Sequence, residues 1–180
     1  MLFLTFTAAA DAVLWKKLQQ DPNMVVLMRN SESSGNRDGA NMLTWDASGN
    51  CQGESTLTEV GKAQAKRIGE AFAKHDIKPI VISSPMCRCR ETAQIAFGDY
   101  LTDADLRQKA GSDEVGQEVF LETAANLLSR YRGERPIVFV NHRPNINALT
   151  MELIPIGDLL IGSVSKSGEI DVLGRIRIEP

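Results

Sequence analysis

The sequence predicts a three-layer α/β/α sandwich with a mostly parallel central sheet. Three short runs, MVVLM, PIVISS and RPIVFVNH, are apolar almost throughout, which is typical of strands buried on both faces of a sheet. Helical patterns separate these runs, and strands that alternate with helices form parallel sheets. We expect residues 1–180 to form one domain, because a chain of this length can bury a sizeable core.

The N-terminal residues 1–12, MLFLTFTAAADA, have two interpretations. The run is apolar and ends in small residues, as a signal peptide does, but it lacks a basic segment and its apolar core is short. It is either a short strand or frayed end, or a shortened export signal that would favour a periplasmic or secreted protein. The residues that follow predict a short helix with Asp11 as its cap and Val13, Leu14 and Leu18 on one face.

The remaining elements follow in order. A long polar loop runs from Asn30 to about Thr56, and loops of this length are often functional. The next helix has Thr58 at its N-cap, and Gly61 and Gly69 are expected to let it pack closely on the sheet. Further helices are predicted from Pro85 to Gly98, over residues 113–132 and from Pro144, and the alternating tail GEIDVLGRIRI predicts an edge strand or hairpin. The side chains expected to face inward from the helices at 57–76 and 113–132 are Val60, Ile68, Ala71, Phe72, Val115, Val119, Phe120, Leu127 and Leu128.

Composition and charge narrow the function classes. Hydrophobic residues make up 43% of the chain and its formal net charge is −3, which indicates a soluble globular protein without a basic field for nucleic acid. No run approaches the ~20 apolar residues that a membrane-spanning helix needs. We therefore expect neither nucleic acid nor a membrane span, and an anionic ligand would need a local cluster of arginines.

Polar residues follow all three apolar strands. Arg29 and Asn30 follow the first, Arg88 lies in the first turn of the helix after the second, and His142 follows the third. Because the carboxyl ends of parallel strands meet at one edge of a sheet, we expect these side chains to line one cleft. Two arginines, a histidine and a helix N-terminus suit the oxygens of phosphate or of a small phosphorylated molecule.

The three cysteines leave two interpretations open. Cys87 and Cys89 are too close for an easy mutual bridge, so either one could pair with Cys51 in an oxidising compartment. The alternative is three reduced thiols. The CRC spacing is not that of a zinc site and the two histidines are far apart in the sequence, so we expect no metal.

Four blocks of the chain resemble, in this order, the signature blocks of the histidine phosphatase superfamily, also called phosphoglycerate mutase-like. They are VVLMRNSES, STLTEVGKAQAKRIGEAF, VISSPMCRCRETA and IVFVNHRPNI. The resemblance covers about Met24 to Leu173 and is closest to a small bacterial branch. It implies a phosphoglycerate mutase-like fold and a hydrolase that cleaves phosphomonoesters through a phosphohistidine without a cofactor.

The resemblance also implies roles for individual residues. Arg29 and Arg88 match the two arginines that bind phosphate, and His142 matches the histidine that supports the phosphoryl group and the geometry of attack. The family often uses a carboxylate as general acid. The candidates for that role are Glu32, Glu54 and Glu114.

The chain departs from the family pattern at Asn30, which occupies the position of the histidine that attacks phosphorus. An amide nitrogen is not a nucleophile because its lone pair is delocalised into the carbonyl, whereas a neutral imidazole is one. We therefore expect an inactive or crippled catalytic set. Three explanations stay open: a pseudophosphatase that binds a phosphorylated ligand without turnover, an enzyme disabled at one position so that it holds its substrate, or residual hydrolysis by a water activated at His142. A second departure lies at Asn141 and Arg143-Pro144: the family often has a small or hydroxyl residue before its histidine, and here the neighbours of His142 are bulkier.

Overall fold

The computed structural model describes residues 4–35, 42–108 and 113–178, with side chains from Asp11 onward. Within these ranges there are five α-helices, six strands and one 3₁₀ turn at Ala104–Leu106. The helices are α1 (Leu4–Gln20), α2 (Glu59–Lys74), α3 (Cys87–Phe97), α4 (Glu114–Tyr131) and α5 (Arg143–Thr150). The strands are β1 (Met24–Arg29), β2 (Ile80–Ser83), β3 (Leu101–Thr102), β4 (Ile137–Asn141), β5 (Asp158–Val164) and β6 (Ile170–Arg177).

The strands form one sheet in the order β3-β2-β4-β1-β5-β6. The first four run parallel to their neighbours, while β5 is antiparallel to β1 and to β6. The predicted mostly parallel sheet is therefore confirmed for the half that contains the three apolar runs. The alternating tail predicts the strand β6, but no pattern predicts β5, which is apolar and buried along most of its length.

Helices cover both faces of this sheet, which confirms the three-layer α/β/α architecture. Side chains of α1, α2 and α3 pack on one face, where Leu18, Phe72 and Ala93 join the core. Side chains of α4 and α5 pack on the other, where Phe120 and Ile146 join a second core. Among the residues that the structure describes, no helix is both long and apolar enough to cross a membrane.

The N-terminal prediction is wrong in its secondary structure. Residues from Leu4 onward belong to α1, so there is neither a strand nor a frayed end there, and Asp11 lies inside the helix instead of capping it. Residues 1–3 lie outside the described part of the chain. Leu14 and Leu18 are buried as expected, but Val13 is 57% exposed, because the buried stripe of this helix continues through Trp15.

The buried stripes of α2 and α4 contain glycine and alanine besides large apolar side chains. Ile68 and Phe72 are buried as predicted, with Gly61 and Ala65 completing the stripe, while Val60 is 53% exposed. The corresponding stripe of α4 contains Gly116, Phe120, Ala124 and Leu128. Val115 is therefore one position off the stripe and 72% exposed, and Val119 and Leu127 are only partly buried. Small residues lie where the backbones approach most closely, so side-chain size misleads the prediction there.

The predicted ends of two helices are confirmed. Oγ1 of Thr58 accepts a hydrogen bond from the backbone N–H of Gly61, which caps α2, and Gly98 follows the last residue of α3 with a positive φ of 84°. The two glycines of α2 have a different use from the one expected. A Cβ at Gly61 would collide with the carbonyl oxygen of Glu32, and one at Gly69 with that of Ala96. The close packing is therefore against the loop after β1 and against α3, and not against the sheet.

Candidate active site

The carboxyl ends of parallel strands bring the predicted residues to one edge of the sheet. Arg29 ends β1 and is the register partner of Asn141, which ends β4. The backbone N–H of Asn30 donates to the carbonyl oxygen of Asn141 over 3.1 Å, and His142 follows Asn141 directly. Because β2 lies on the other side of β4, the helix that follows it delivers Arg88 to the same edge.

His142 is buried against two side chains that no motif singles out. Its Nε2 lies 2.8 Å from Oγ of Ser84, and each ring nitrogen lies 3.7 Å from Sγ of Cys89. Burial first, and then the positive charges of Arg88 and Arg29, hold the pKa of His142 well below its ordinary value. The ring is therefore neutral near pH 7, so one of its nitrogens can accept a hydrogen bond.

Cys89 is a free, fully buried thiol in the same cluster. Burial raises its pKa to about 12, although the nearby charge of Arg88 and a hydrogen bond with Ser84 act in the opposite direction. The thiolate is the nucleophilic form of cysteine. Cys89 therefore stays protonated near pH 7, and it fills space beside the imidazole instead of replacing the missing nucleophile.

Arg88 is fully buried and only partly satisfied. Its Nη2 donates to the carbonyl oxygen of Met42 over 2.9 Å and to Oε1 of Gln108 over 3.0 Å. Its Nε and Nη1 are buried and have no hydrogen-bond partner among the described residues. Buried donors are nearly always paired, and a guanidinium pairs best with carboxylate or phosphate oxygens. An anion beside this side chain would therefore satisfy both donors.

Arg29 approaches the same region from the sheet. It is half-buried, its Nη1 lies 3.4 Å from the carbonyl oxygen of Ile154, and its Nε has no partner in the described part of the chain. Burial, and then the like charge of Arg143, lower the pKa of Arg29 from its ordinary value. The like charge of Arg143 beside Arg29 makes this part of the edge favourable for an anion.

Asn30 is buried at 3% exposure. Its Nδ2 donates to the carbonyl oxygen of Ser31 over 2.9 Å. One N–H of the Asn30 amide is thus bonded to the backbone, and the side chain beside the two arginines is neutral. The structure brings Arg29, Asn30, Arg88 and His142 together at one edge, whereas their roles toward a phosphate stay a prediction.

A disulfide ties the long loop to this edge. Cys51 pairs with Cys87, with Cα atoms 5.7 Å apart, so of the two partners that the sequence left open the structure uses Cys87. Glu54 reinforces the link, because its Oε2 accepts from the backbone N–H of Cys87 and its Oε1 from that of Asp46. Arg90 donates to the carbonyl oxygen of Gly49 over 2.8 Å. The loop is therefore fastened to the first turn of α3, beside Arg88.

The three candidates for a general acid lie in different settings. Oε1 of Glu32 accepts from Oγ1 of Thr58 over 2.7 Å, and both carboxylate oxygens of Glu54 accept from backbone N–H groups. Glu114 is exposed in the first turn of α4. Two of the three carboxylates are thus used to hold loops in place, and a general-acid role stays a prediction for all three.

Sequence patterns did not single out several residues of the site. Gln108 and Met42 hold Arg88 from distant segments, and no local signal predicts such contacts. Ser84 stands in the SSP block, where its position after a strand end was a usable signal. Within the described ranges, no group of three or more His, Cys, Asp or Glu side chains is placed to hold a metal ion.

Comparisons with solved structures agree with the fold. Solved structures with the same fold include the protein histidine phosphatase SixA complexed with tungstate, at 12% identity and a TM-score of 0.58 over 86% of this chain and 96% of that one. Phosphoserine phosphatase from Entamoeba histolytica, in complex with 3-phosphoglyceric acid, has 15% identity and a TM-score of 0.59 over 84% of this chain and 95% of that one. The Mycobacterium tuberculosis protein Rv3214 has 18% identity and a TM-score of 0.63 over 84% of this chain and 96% of that one.

Sequence comparison assigns the family. No curated protein matches the chain. The family profile described as "Histidine phosphatase superfamily (branch 1)" matches residues 25–119, which is more than half of the chain. The match starts in β1 and includes both arginines of the candidate site. The chain is therefore a member of the histidine phosphatase superfamily.

Proposed function

We propose that this chain binds the phosphoryl group of a small phosphorylated molecule at the edge formed by Arg29, Arg88 and His142. One observation carries the proposal: the buried guanidinium of Arg88 keeps Nε and Nη1 without a partner among the described residues. Two guanidinium groups can neutralise the non-bridging oxygens of a phosphate. The fold and the family supply the substrate class, because phosphatases of this superfamily act on phosphorylated molecules.

The reaction that this architecture supports is in-line attack at phosphorus, with the arginines stabilising the charge on the equatorial oxygens. The attacking atom is missing at position 30. Nδ2 of Asn30 is an amide nitrogen already engaged with the Ser31 carbonyl, so no phosphohistidine forms there. In this proposal the chain is a phosphomonoesterase by architecture whose phosphohistidine step is disabled.

A pseudophosphatase is the second candidate function. It is favoured by the intact surroundings of Asn30, because both arginines and His142 are still present at the same edge. Such a protein would hold its phosphorylated ligand and release it unchanged. Residual hydrolysis by a water at His142 is a weaker alternative, since Nε2 of this ring is already hydrogen-bonded to Ser84.

Hydrolysis of p-nitrophenyl phosphate by the unaltered chain and by Asn30→His tests the proposal. We expect turnover only in Asn30→His, because this substitution adds an imidazole to an otherwise complete phosphate site. Asn30→Gln is the matched control, since it changes the size of the side chain and adds no nucleophile. Equal turnover in all three proteins would show that position 30 does not hold the nucleophile. Calorimetry with phosphate on the unaltered chain measures binding independently of turnover.

A further inference from the structure

A buried amide donor beside Arg29 has no partner. The side chain of Asn141 is 0% exposed, and its Nδ2 makes no hydrogen bond to any residue that the structure describes. A buried donor left unpaired is unfavourable, and most such groups find a protein or solvent partner. Asn141 is neither a matched family position nor one of the residues assigned a role above.

The orientation of this amide is fixed by its neighbours. Oδ1 of Asn141 accepts from the backbone N–H of His142 over 2.8 Å and from Nδ2 of Asn145 over 2.9 Å. Nδ2 of Asn145 in turn faces the carbonyl oxygen of Leu106 at 3.2 Å, so Asn145 cannot turn its amide without losing that acceptor. Flipping Asn141 would set its NH₂ against two donors. The NH₂ group therefore has to point away from both.

The Asn141 side chain, with its unpaired NH₂, shares a face of the sheet with Arg29. Asn141 and Arg29 are register partners on adjacent parallel strands, and register partners point to the same face. That face holds Phe139 of β4 and Leu27 of β1, two residues before each of them. Arg29 also has an unpaired buried atom, its Nε. Two adjacent strand ends therefore each carry an unsatisfied buried donor on the same face of the sheet.

We propose that Nδ2 of Asn141 donates a hydrogen bond to a non-bridging oxygen of the bound phosphoryl group, together with Arg29. This inference rests on the proposed function and adds a residue to it. An acceptor oxygen at this place would satisfy the Asn141 donor and the Arg29 Nε at once. Asn141 would contribute a directed hydrogen bond from a neutral group, beside the charged hydrogen bonds of the arginines.

The test compares binding of inorganic phosphate by calorimetry in the unaltered chain, Asn141→Asp and Asn141→Ala. Asn141→Asp keeps an oxygen for the two donors and replaces NH₂ by an acceptor, so phosphate affinity should fall more than about 30-fold. Asn141→Ala removes one neutral hydrogen bond, and affinity should fall about 10-fold. The matched control is Asn147→Asp, the same change on the following helix α5, where Nδ2 donates to the Glu152 carbonyl; phosphate affinity should stay within about twofold.

A second measurement does not depend on the folding of any variant. In the unaltered chain, the side-chain NH₂ signals of Asn141 should shift in ¹⁵N–¹H spectra when phosphate is added, while those of Asn147 stay in place. Unchanged Asn141 signals in a chain that binds phosphate would overturn the inference and leave the proposed function standing. A chain that binds no phosphate would overturn both.

Discussion

The two arginines of the candidate site are held by different kinds of structure. Arg29 is the last residue of β1, so the register of the sheet fixes its backbone, and its side chain is half-buried. Arg88 lies in the first turn of α3 and is fully buried. Its guanidinium is held by Met42 and Gln108, which come from segments outside the sheet. Neighbouring strands position one half of the site, and tethered loops position the other half.

This difference separates two sources of order. The position of Arg29 follows from a strand end and its neighbours, whereas the position of Arg88 also depends on the disulfide between Cys51 and Cys87 and on Glu54. Changes in the loop should therefore act on the Arg88 half of the site and leave the Arg29 half intact. The effects on stability should be larger at Arg88, because burial is complete there.

Replacing the arginines should give the largest effects on phosphate binding and should affect stability unequally. Arg88→Ala should lower the free energy of unfolding by on the order of 3 kcal/mol, because it leaves a cavity and removes the donor for Met42 and Gln108. Arg29→Ala should cost less than about 1 kcal/mol, because its side chain is less buried than that of Arg88. Urea denaturation measures both values. Equal losses for the two variants would contradict the distinction between the halves.

The same pair should behave alike in anion binding. Each alanine variant removes charge-assisted hydrogen bonds worth about 1.5–3 kcal/mol, so phosphate affinity should fall by about 10- to 150-fold in both. Arg88→Lys keeps the charge and loses the planar fork of donors, and it should bind phosphate less tightly than the unaltered chain. Calorimetry showing unchanged affinity in Arg88→Ala would remove Arg88 from the site.

Opening the disulfide should lower stability at least as much as Arg88→Ala, but it should weaken phosphate binding less than the arginine variants do. Cys51 and Cys87 are separated by 36 positions, and a closed loop of that length stabilises by about 4 kcal/mol in the chain-entropy model. Thermal unfolding with and without reductant should show this loss in the unaltered chain. The Met42 contact to Arg88 depends on the same loop, so phosphate affinity should also fall a few-fold on reduction.

Cys51→Ser is the control for this effect. This variant should have the stability and phosphate affinity of the reduced unaltered chain. It should show no further response to reductant, because Cys89 does not take part in a disulfide. A Cys51→Ser protein with the stability and phosphate affinity of the unaltered chain would mean that the loop does not support Arg88.

The smallest expected effects come from pH. The pKa of His142 is lowered in the folded protein. Below about pH 6.5 the histidine is therefore protonated in the unfolded chain but stays neutral in the folded chain. Stability should therefore fall as the pH drops from about 6.5 toward 5, by at most about 1.4 kcal/mol per pH unit. His142→Asn should flatten this limb in urea denaturation series, and an unchanged slope would contradict a neutral, buried His142.

The buried Cys89 thiol should affect stability at alkaline pH. Its pKa is raised from 9.0 to about 12, so above about pH 9 the unfolded chain releases a proton that the folded chain keeps. Stability should fall as the pH rises through this range, and Cys89→Ala should reduce the slope. The disulfide cysteines do not titrate, so a similar slope in both proteins would mean that the Cys89 thiol is not buried in the folded state.

The sequence was sufficient for the parts of the fold that depend on local pattern. The apolar runs identified β1, β2 and β4, and the family blocks placed Arg29, Arg88 and His142. It was insufficient where packing between distant segments decides. Val60 and Val115 were assigned to the core although glycine and alanine occupy the buried stripe, and β5 was missed between two loops. The partners of Arg88 and the unpaired amide of Asn141 depend on three-dimensional neighbours, for which the sequence carries no local signal.

Trapping of a phosphoenzyme tests the central claim most directly: the phosphate site is complete and only the atom at position 30 prevents transfer. Asn30→His, the unaltered chain and Asn30→Gln are each mixed with p-nitrophenyl phosphate, quenched in base and examined by ³¹P NMR. We expect an acid-labile phosphoramidate signal in Asn30→His alone, carried by the introduced imidazole. A phosphoenzyme in the unaltered chain or in Asn30→Gln would contradict the account. So would the absence of one in an Asn30→His protein that binds phosphate.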